Sequence, residues 1–239
     1  MFLEKDKLSR FEFVSIIEFS LILFLIFIST LFSFLFLPLI LKRFLPAYSA
    51  FFNSQYFGIV LFFLSGILMI YIFYYFCCKK KNKTFSEGMF LNPVSLKTGA
   101  MCLLIGLIMP LISLPVIFKF APHEFYAMDL AKTKEGLIYL FACALFAPVF
   151  EEFFYRGFIF PFFQSKLNSF WAVIITSLFF GLSHYMNIGN AYILLSMFIV
   201  YGFVLTLIRY FTSSLIPPVI THLIHNAVLM SCFIIFGNK

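Results

Sequence analysis

Apolar residues along this chain come in long runs separated by short polar segments. The runs extend from about Phe13 to Ile40, Phe57 to Cys78, Thr98 to Phe118, Leu137 to Phe160, Phe170 to Met186, and Ala191 to Tyr210. A last run opens at Pro217-Pro218 and reaches Phe236. Runs of roughly 18 or more apolar residues read as membrane-crossing helices. The pattern therefore predicts an all-α protein, a polytopic transmembrane helical bundle of about seven spans that allows eight. The first run is too long for a signal-peptide core and lacks a small-residue cleavage site, so it reads as an uncleaved span. Pro110, Pro115 and Pro148 predict kinks, because proline removes a helix hydrogen bond. Pro217 and Pro218 suit a first helical turn. Neither an internal repeat nor a linker interrupts the pattern. The chain divides into 1–136, holding spans one to three and a polar connector, and 137–239, a four-span helical core, together one integral membrane unit.

Composition supports this reading. Hydrophobic residues make up 63% of the chain and charged residues 11%, and the mean hydropathy is +1.04, whereas soluble domains are roughly half apolar. The 39 Phe read as lipid-facing bulk. The net charge of +7 resides largely in loops, where Lys and Arg set orientation and touch anionic lipid. The cluster Lys79-Lys80-Lys81-Asn82-Lys83 marks a cytoplasmic loop and places the N-terminus on the same side, with about ten loop cations inside and about six outside. The expected location is the plasma membrane. No soluble basic face is present, so no nucleic-acid partner is expected. Five Cys without paired metal spacing argue against a disulfide framework or zinc knuckle.

Polar residues inside the spans break the pattern. Glu151-Glu152-x-x-x-Arg156 places two acids and a cation in the fourth run. Ionisable groups at membrane depth are costly and generally face a protein interior or a cavity. Glu152 and Arg156 are four residues apart with the acid first, the favourable order for a helix ion pair. Glu151 is turned by about 100° from that pair and is left available for chemistry. His184 lies near the end of the fifth run, and His222, His225 and Asn226 lie in the last. His222 and Asn226 share a helix face. His123-Glu124 lacks the second histidine of a zinc-protease helix, since position 127 is Ala127. The only aspartates, Asp6 and Asp129, lie in polar segments, which argues against an aspartyl intramembrane protease.

Two schemes fit these residue types. A carboxylate with a nearby imidazole can deprotonate water, while Asn and His steady an oxyanion. Alternatively Glu151, His184 and His222 could ligate zinc and acidify a bound water. Both hydrolyse a peptide bond, and both leave Glu152–Arg156 as a strut that positions Glu151.

The motifs Glu151-Glu152-x-x-x-Arg156, Phe180-x-x-x-His184 and His222-x-x-x-Asn226, in this order on successive apolar runs, resemble the CPBP (Abi) family. That family contains CAAX prenyl proteases and bacteriocin-processing or self-immunity proteins. The resemblance covers about Leu137 to Phe236 and implies an intramembrane endopeptidase acting on a membrane-associated or prenylated peptide. It implies that Glu151 and His184 activate water and that His222 and Asn226 hold the oxyanion. Glu152, Arg156 and Phe180 support them. Zinc and a metal-free, glutamate-activated water both remain open at this point. Two other readings use the same helices: a non-proteolytic membrane scaffold or self-immunity protein, and a proton relay, which lacks the repeat symmetry common in transporters. Straight, alternating spans would set His184 roughly 10–15 Å from the depth of Glu151 and His222.

Overall fold

The computed structural model describes residues 13–120, 130, 132–188 and 191–236. The His123-Glu124 connector and both aspartates lie outside the described residues. Every regular element among the described residues is helical. Helix α1 (Ile16–Phe44) opens on a capping box: Glu18 N–H donates to Ser15 Oγ (3.1 Å), and Ser15 N–H donates to Glu18 Oε2 (2.9 Å). The other oxygen of Glu18 accepts from Lys80 Nζ at 2.5 Å, and Lys81 Nζ approaches Oε2 at 3.7 Å. Lys80 and Lys81 end α2 (Gln55–Lys81), so this ion cluster ties the start of α1 to the finish of α2. The two helices run antiparallel, and the lysine cluster shares one end of the bundle with the start of α1.

Helix α3 (Leu96–Phe120) passes unbroken through Pro110 and Pro115, and α4 (Lys134–Lys166) passes through Pro148. Helices α6 (Tyr192–Thr212) and α7 (Ile216–Phe236) complete, among the described residues, six helices long and apolar enough to cross a membrane. The protein is thus a multi-pass integral membrane helical bundle. The fifth apolar run forms only α5 (Ser169–Ser183), whose 15 residues rise about 22 Å, short of the ~30 Å hydrocarbon core. Seven runs thus yield six long helices and one short one. Helix α5 stops because the backbone N–H of His184 closes on Gly181 C=O (3.1 Å), three residues back, and a separate short helix, Tyr185–Ile188, follows.

Within the long helices, wide π-turns lie at Phe32–Phe36, Tyr74–Cys78 and Tyr155–Ile159, and a tighter 3-10 turn at Lys79–Lys81 closes α2. The last π-turn lies inside α4, just after the acidic pair.

Helix α4 packs against α2, α5 and α7, while α7 also packs against α3 and α6. The phenylalanines divide between two roles, which corrects the view of them as lipid-facing bulk. Phe24, Phe27, Phe141 and Phe170 are exposed on the outer surface, whereas Phe73, Phe158, Phe160 and Phe180 are fully buried. Phe19, Phe73 and Phe154 gather their rings around Phe158 in the main core.

Helices α5 and α6 cross closely because both carry glycine at the crossing. A Cβ on Gly181 would meet Ile199 backbone N at 2.9 Å, and one on Gly202 would meet Ser177 C=O at 3.1 Å. Small residues at such crossings let backbones approach and pack where lipid supplies no hydrophobic drive. Gly181→Ala should therefore cost about 1–3 kcal/mol, because the obstruction is backbone and not a mobile side-chain tip. Gly99, with nothing within 4 Å of its added Cβ, gives the contrast. Gly99→Ala should be neutral or stabilise by about 0.5–1 kcal/mol through helix propensity. Thermal melting of the two variants in one detergent checks both signs.

Candidate active site

The site begins with a charge pair fully removed from solvent. Glu152 and Arg156 have side chains 0% exposed, and Arg156 Nη1 donates to Glu152 Oε1 at 2.6 Å. The first α-helical stretch of α4 runs to Phe154, Arg156 lies in the π-turn that follows, and α-turns resume at Phe160. Two further donors of Arg156 are used on α6: Nη2 donates to Gly202 C=O (2.9 Å) and Nε to Thr206 Oγ1 (3.3 Å). The guanidinium also lies 4.5 Å from the ring centre of Phe180 on α5. A buried guanidinium is tolerable only when its N–H groups are matched in this way. One arginine thus joins α4, α5 and α6.

Glu152 does more than balance that charge. His222 Nδ1 stands 2.9 Å from Glu152 Oε1, the same oxygen that Arg156 uses. A carboxylate can only accept, so Nδ1 carries the proton in this bond. The opposite ring nitrogen, Nε2, faces Glu151 Oε2 at 3.8 Å. Glu151 keeps 31% of its side chain exposed, unlike Glu152. Tyr201 and Phe180 stand edge-on to the imidazole at 5.2 and 5.8 Å and fix its plane. The strut expected beneath Glu151 therefore bears on His222, and the imidazole spans the two carboxylates. Proximity in sequence suggested Glu151 as its load; α7 crossing α4 at this level decides otherwise.

His184 and Asn226 stand beside this line in the wall of a cavity of about 350 Å³, mostly apolar, between α4, α7 and the end of α5. Cys143 and Ala147 from α4 also line it, and Glu151 is the next residue on their face. On α7, Asn226 lines it one turn beyond His222. The cavity is therefore adjacent to the Glu151–His222 pair along both helices. His184 ends the short α5, and that shortness brings it to the cavity despite the depth offset expected of straight spans. Its Nδ1 bonds Phe180 C=O at 2.9 Å, and its ring stacks on Phe198 at 4.3 Å. A carbonyl only accepts, so Nδ1 carries the hydrogen and Nε2 of the neutral ring is an acceptor.

The three residues considered as zinc ligands do not form one donor group. Among the described residues no three His, Cys, Asp or Glu side chains are grouped to hold a metal ion. His184 is held at the C-terminus of α5 by its backbone bond and stacking, apart from the Glu151–His222 pair. His225, one residue round α7, is buried and stacks on Tyr201 at 4.2 Å.

Several contributors lay outside the sequence reading. Gly202 and Thr206 are four apart on α6, so their shared face was legible, but nothing in the pattern linked it to Arg156. Tyr201 gave no signal among twelve tyrosines.

Residues 133–228 match a family model described as Rce1-like, type II CAAX prenyl endopeptidase Rce1-like. The match contains every candidate site residue named above, from Glu151 to Asn226. No curated protein and no solved structure matches the chain.

Removing one member of a buried ion pair leaves the other uncompensated, at a cost of about 3–5 kcal/mol. Arg156→Met should lower the melting temperature sharply. Arg156→Lys should lower it less, since it keeps the charge without the fork of donors. Fluorescence-detected unfolding in detergent reads the ranking.

Proposed function

We propose, on the premise that residues 133–228 make this chain a member of the CPBP/CAAX protease family, that it is an intramembrane endopeptidase with a water nucleophile. The observation that carries this reading is the line Glu152–His222–Glu151 beside the apolar cavity. Glu151, the more exposed acid, takes a proton from a water molecule as general base. His184, which lines the cavity, helps orient that water through Nε2. The hydroxide adds to the scissile carbonyl carbon, and the C=O pair moves to oxygen.

The oxyanion is met by donors from α7. With Nδ1–H committed to Glu152, His222 donates from Nε2 only as an imidazolium held between the two carboxylates, keeping both its protons throughout, and Asn226 supplies an amide N–H one turn away. Collapse of the tetrahedral intermediate breaks the C–N bond, and Glu151 returns its proton to the leaving amine. Glu152 and Arg156 keep His222 oriented and undergo no change. The mostly apolar cavity suits a membrane-associated peptide with a bulky apolar group near the scissile bond, a prenylated cysteine included.

Zinc would need Glu151, His184 and His222 to converge as ligands. The lack of a three-ligand group among the described residues favours water activated by side chains, and the steps above use no metal. In a cleavage assay with detergent-purified protein and a lipidated reporter peptide, activity should persist in excess chelator. Asn226→Ala should reduce kcat by about 100-fold. Loss of activity in chelator that zinc restores would overturn the metal-free mechanism.

A further inference from the structure

A second buried arginine takes no part in these steps. Arg209, on α6, is 4% exposed, and its Nε–H donates to the backbone C=O of Arg156 at 3.2 Å. That carbonyl needs a donor for a reason visible in the chain. In an α-helix it would accept from Phe160 N–H, but in the π-turn this N–H bonds Tyr155 C=O. The next residue is Pro161, which has no N–H. The π register and the proline together orphan the carbonyl of the residue that holds Glu152. A buried carbonyl left without a donor is costly, and Arg209 supplies one.

Arg209 is in turn clamped by the segment before α3. Its guanidinium lies 4.5 Å from the ring centre of Phe90 and 5.8 Å from that of Phe160. Phe90 adopts a left-handed backbone with φ 57°, unusual for a bulky residue. Three hydrogen bonds hold the segment there: Leu215 N–H to Phe90 C=O (2.9 Å), Asn92 Nδ2 to Ser213 C=O (2.8 Å), and Ser214 Oγ to Asn92 C=O (2.6 Å). Buried Met89 reaches the same π-turn, its Cε 3.1 Å from where a Cβ on Gly157 would stand. Strained non-glycine backbone persists where surrounding contacts over-determine it.

We infer that Arg209 is a positioning residue for the reaction: it fixes the π-turn at Arg156 and so sets the hydrogen bond between Glu152 and His222 Nδ1, with residues 89–92 holding Arg209 in place. The activity arm of its test rests on the peptidase reading; the spectroscopic arm does not. In full-length protein labelled with ¹⁵N-histidine, the His222 Nδ1–H resonance is identified by its loss in His222→Gln. Arg209→Met should shift that resonance and speed its exchange with water, and should lower kcat about tenfold or more with KM within about twofold. Arg209→Lys should recover part of both effects. Ile22→Ala, a buried change in α1, should lower thermal stability and leave the resonance and kcat unchanged.

A folded Arg209→Met protein with the wild-type resonance would overturn the proposal. If Arg209→Met does not fold, Arg209→Lys decides by the same readouts. If neither folds, the arginine is a folding requirement, and the positioning role is overturned. Absence of any peptide cleavage by the wild type would count against the peptidase reading alone, and the resonance would still judge Arg209.

Discussion

The site depends on one carboxylate oxygen. Glu152 Oε1 receives Arg156 at 2.6 Å and faces His222 Nδ1 at 2.9 Å, with all three side chains buried. A charge cannot be placed in such surroundings unless its partners are fixed. Fixing Arg156 requires acceptors on α6, and fixing His222 requires α7 to cross α4 at this turn. The close approach of α5 and α6 at Gly181 and Gly202 puts the Gly202 carbonyl within reach. Helix packing and site geometry are therefore one constraint seen at two scales.

Because Glu152 is committed, Glu151 is free. The two acids are neighbours in sequence, but one lies in a dry interior and the other stays nearly a third exposed. Environment separates the two acids, and the proposed difference in their roles rests on that separation. The histidines divide in a similar way: each has Nδ1 bound to an acceptor and turns Nε2 to other use. For His222 the acceptor is a charged acid, and for His184 it is a backbone carbonyl. The two rings thus differ in what stands at Nδ1, and for His222 Nε2 faces a second carboxylate, Glu151.

Much of this was legible in the chain. The apolar runs showed where the helices lie, and the i,i+4 spacing of Glu152 and Arg156 showed their pairing, because both are local properties. What remained hidden depends on contacts between distant segments. The 15-residue length of α5 follows from a turn at His184 that no proline or glycine cap announces. The link from Glu152 to His222 spans seventy residues of sequence. The π-turn at Tyr155 leaves no mark in composition, although Pro161 just beyond it is a clue in retrospect. Arg209 lies near the end of an apolar run, and only packing shows that it points inward.

A paired comparison separates the proposed roles of the adjacent acids. Glu151→Gln and Glu152→Gln, purified side by side, would each be scored for kcat and for melting temperature. The account predicts that Glu151→Gln loses cleavage by about 100-fold or more while melting like the wild type. It predicts that Glu152→Gln melts markedly earlier, because Arg156 is left buried without a counter-charge. Wild-type cleavage by Glu151→Gln, or wild-type melting by Glu152→Gln, would contradict it.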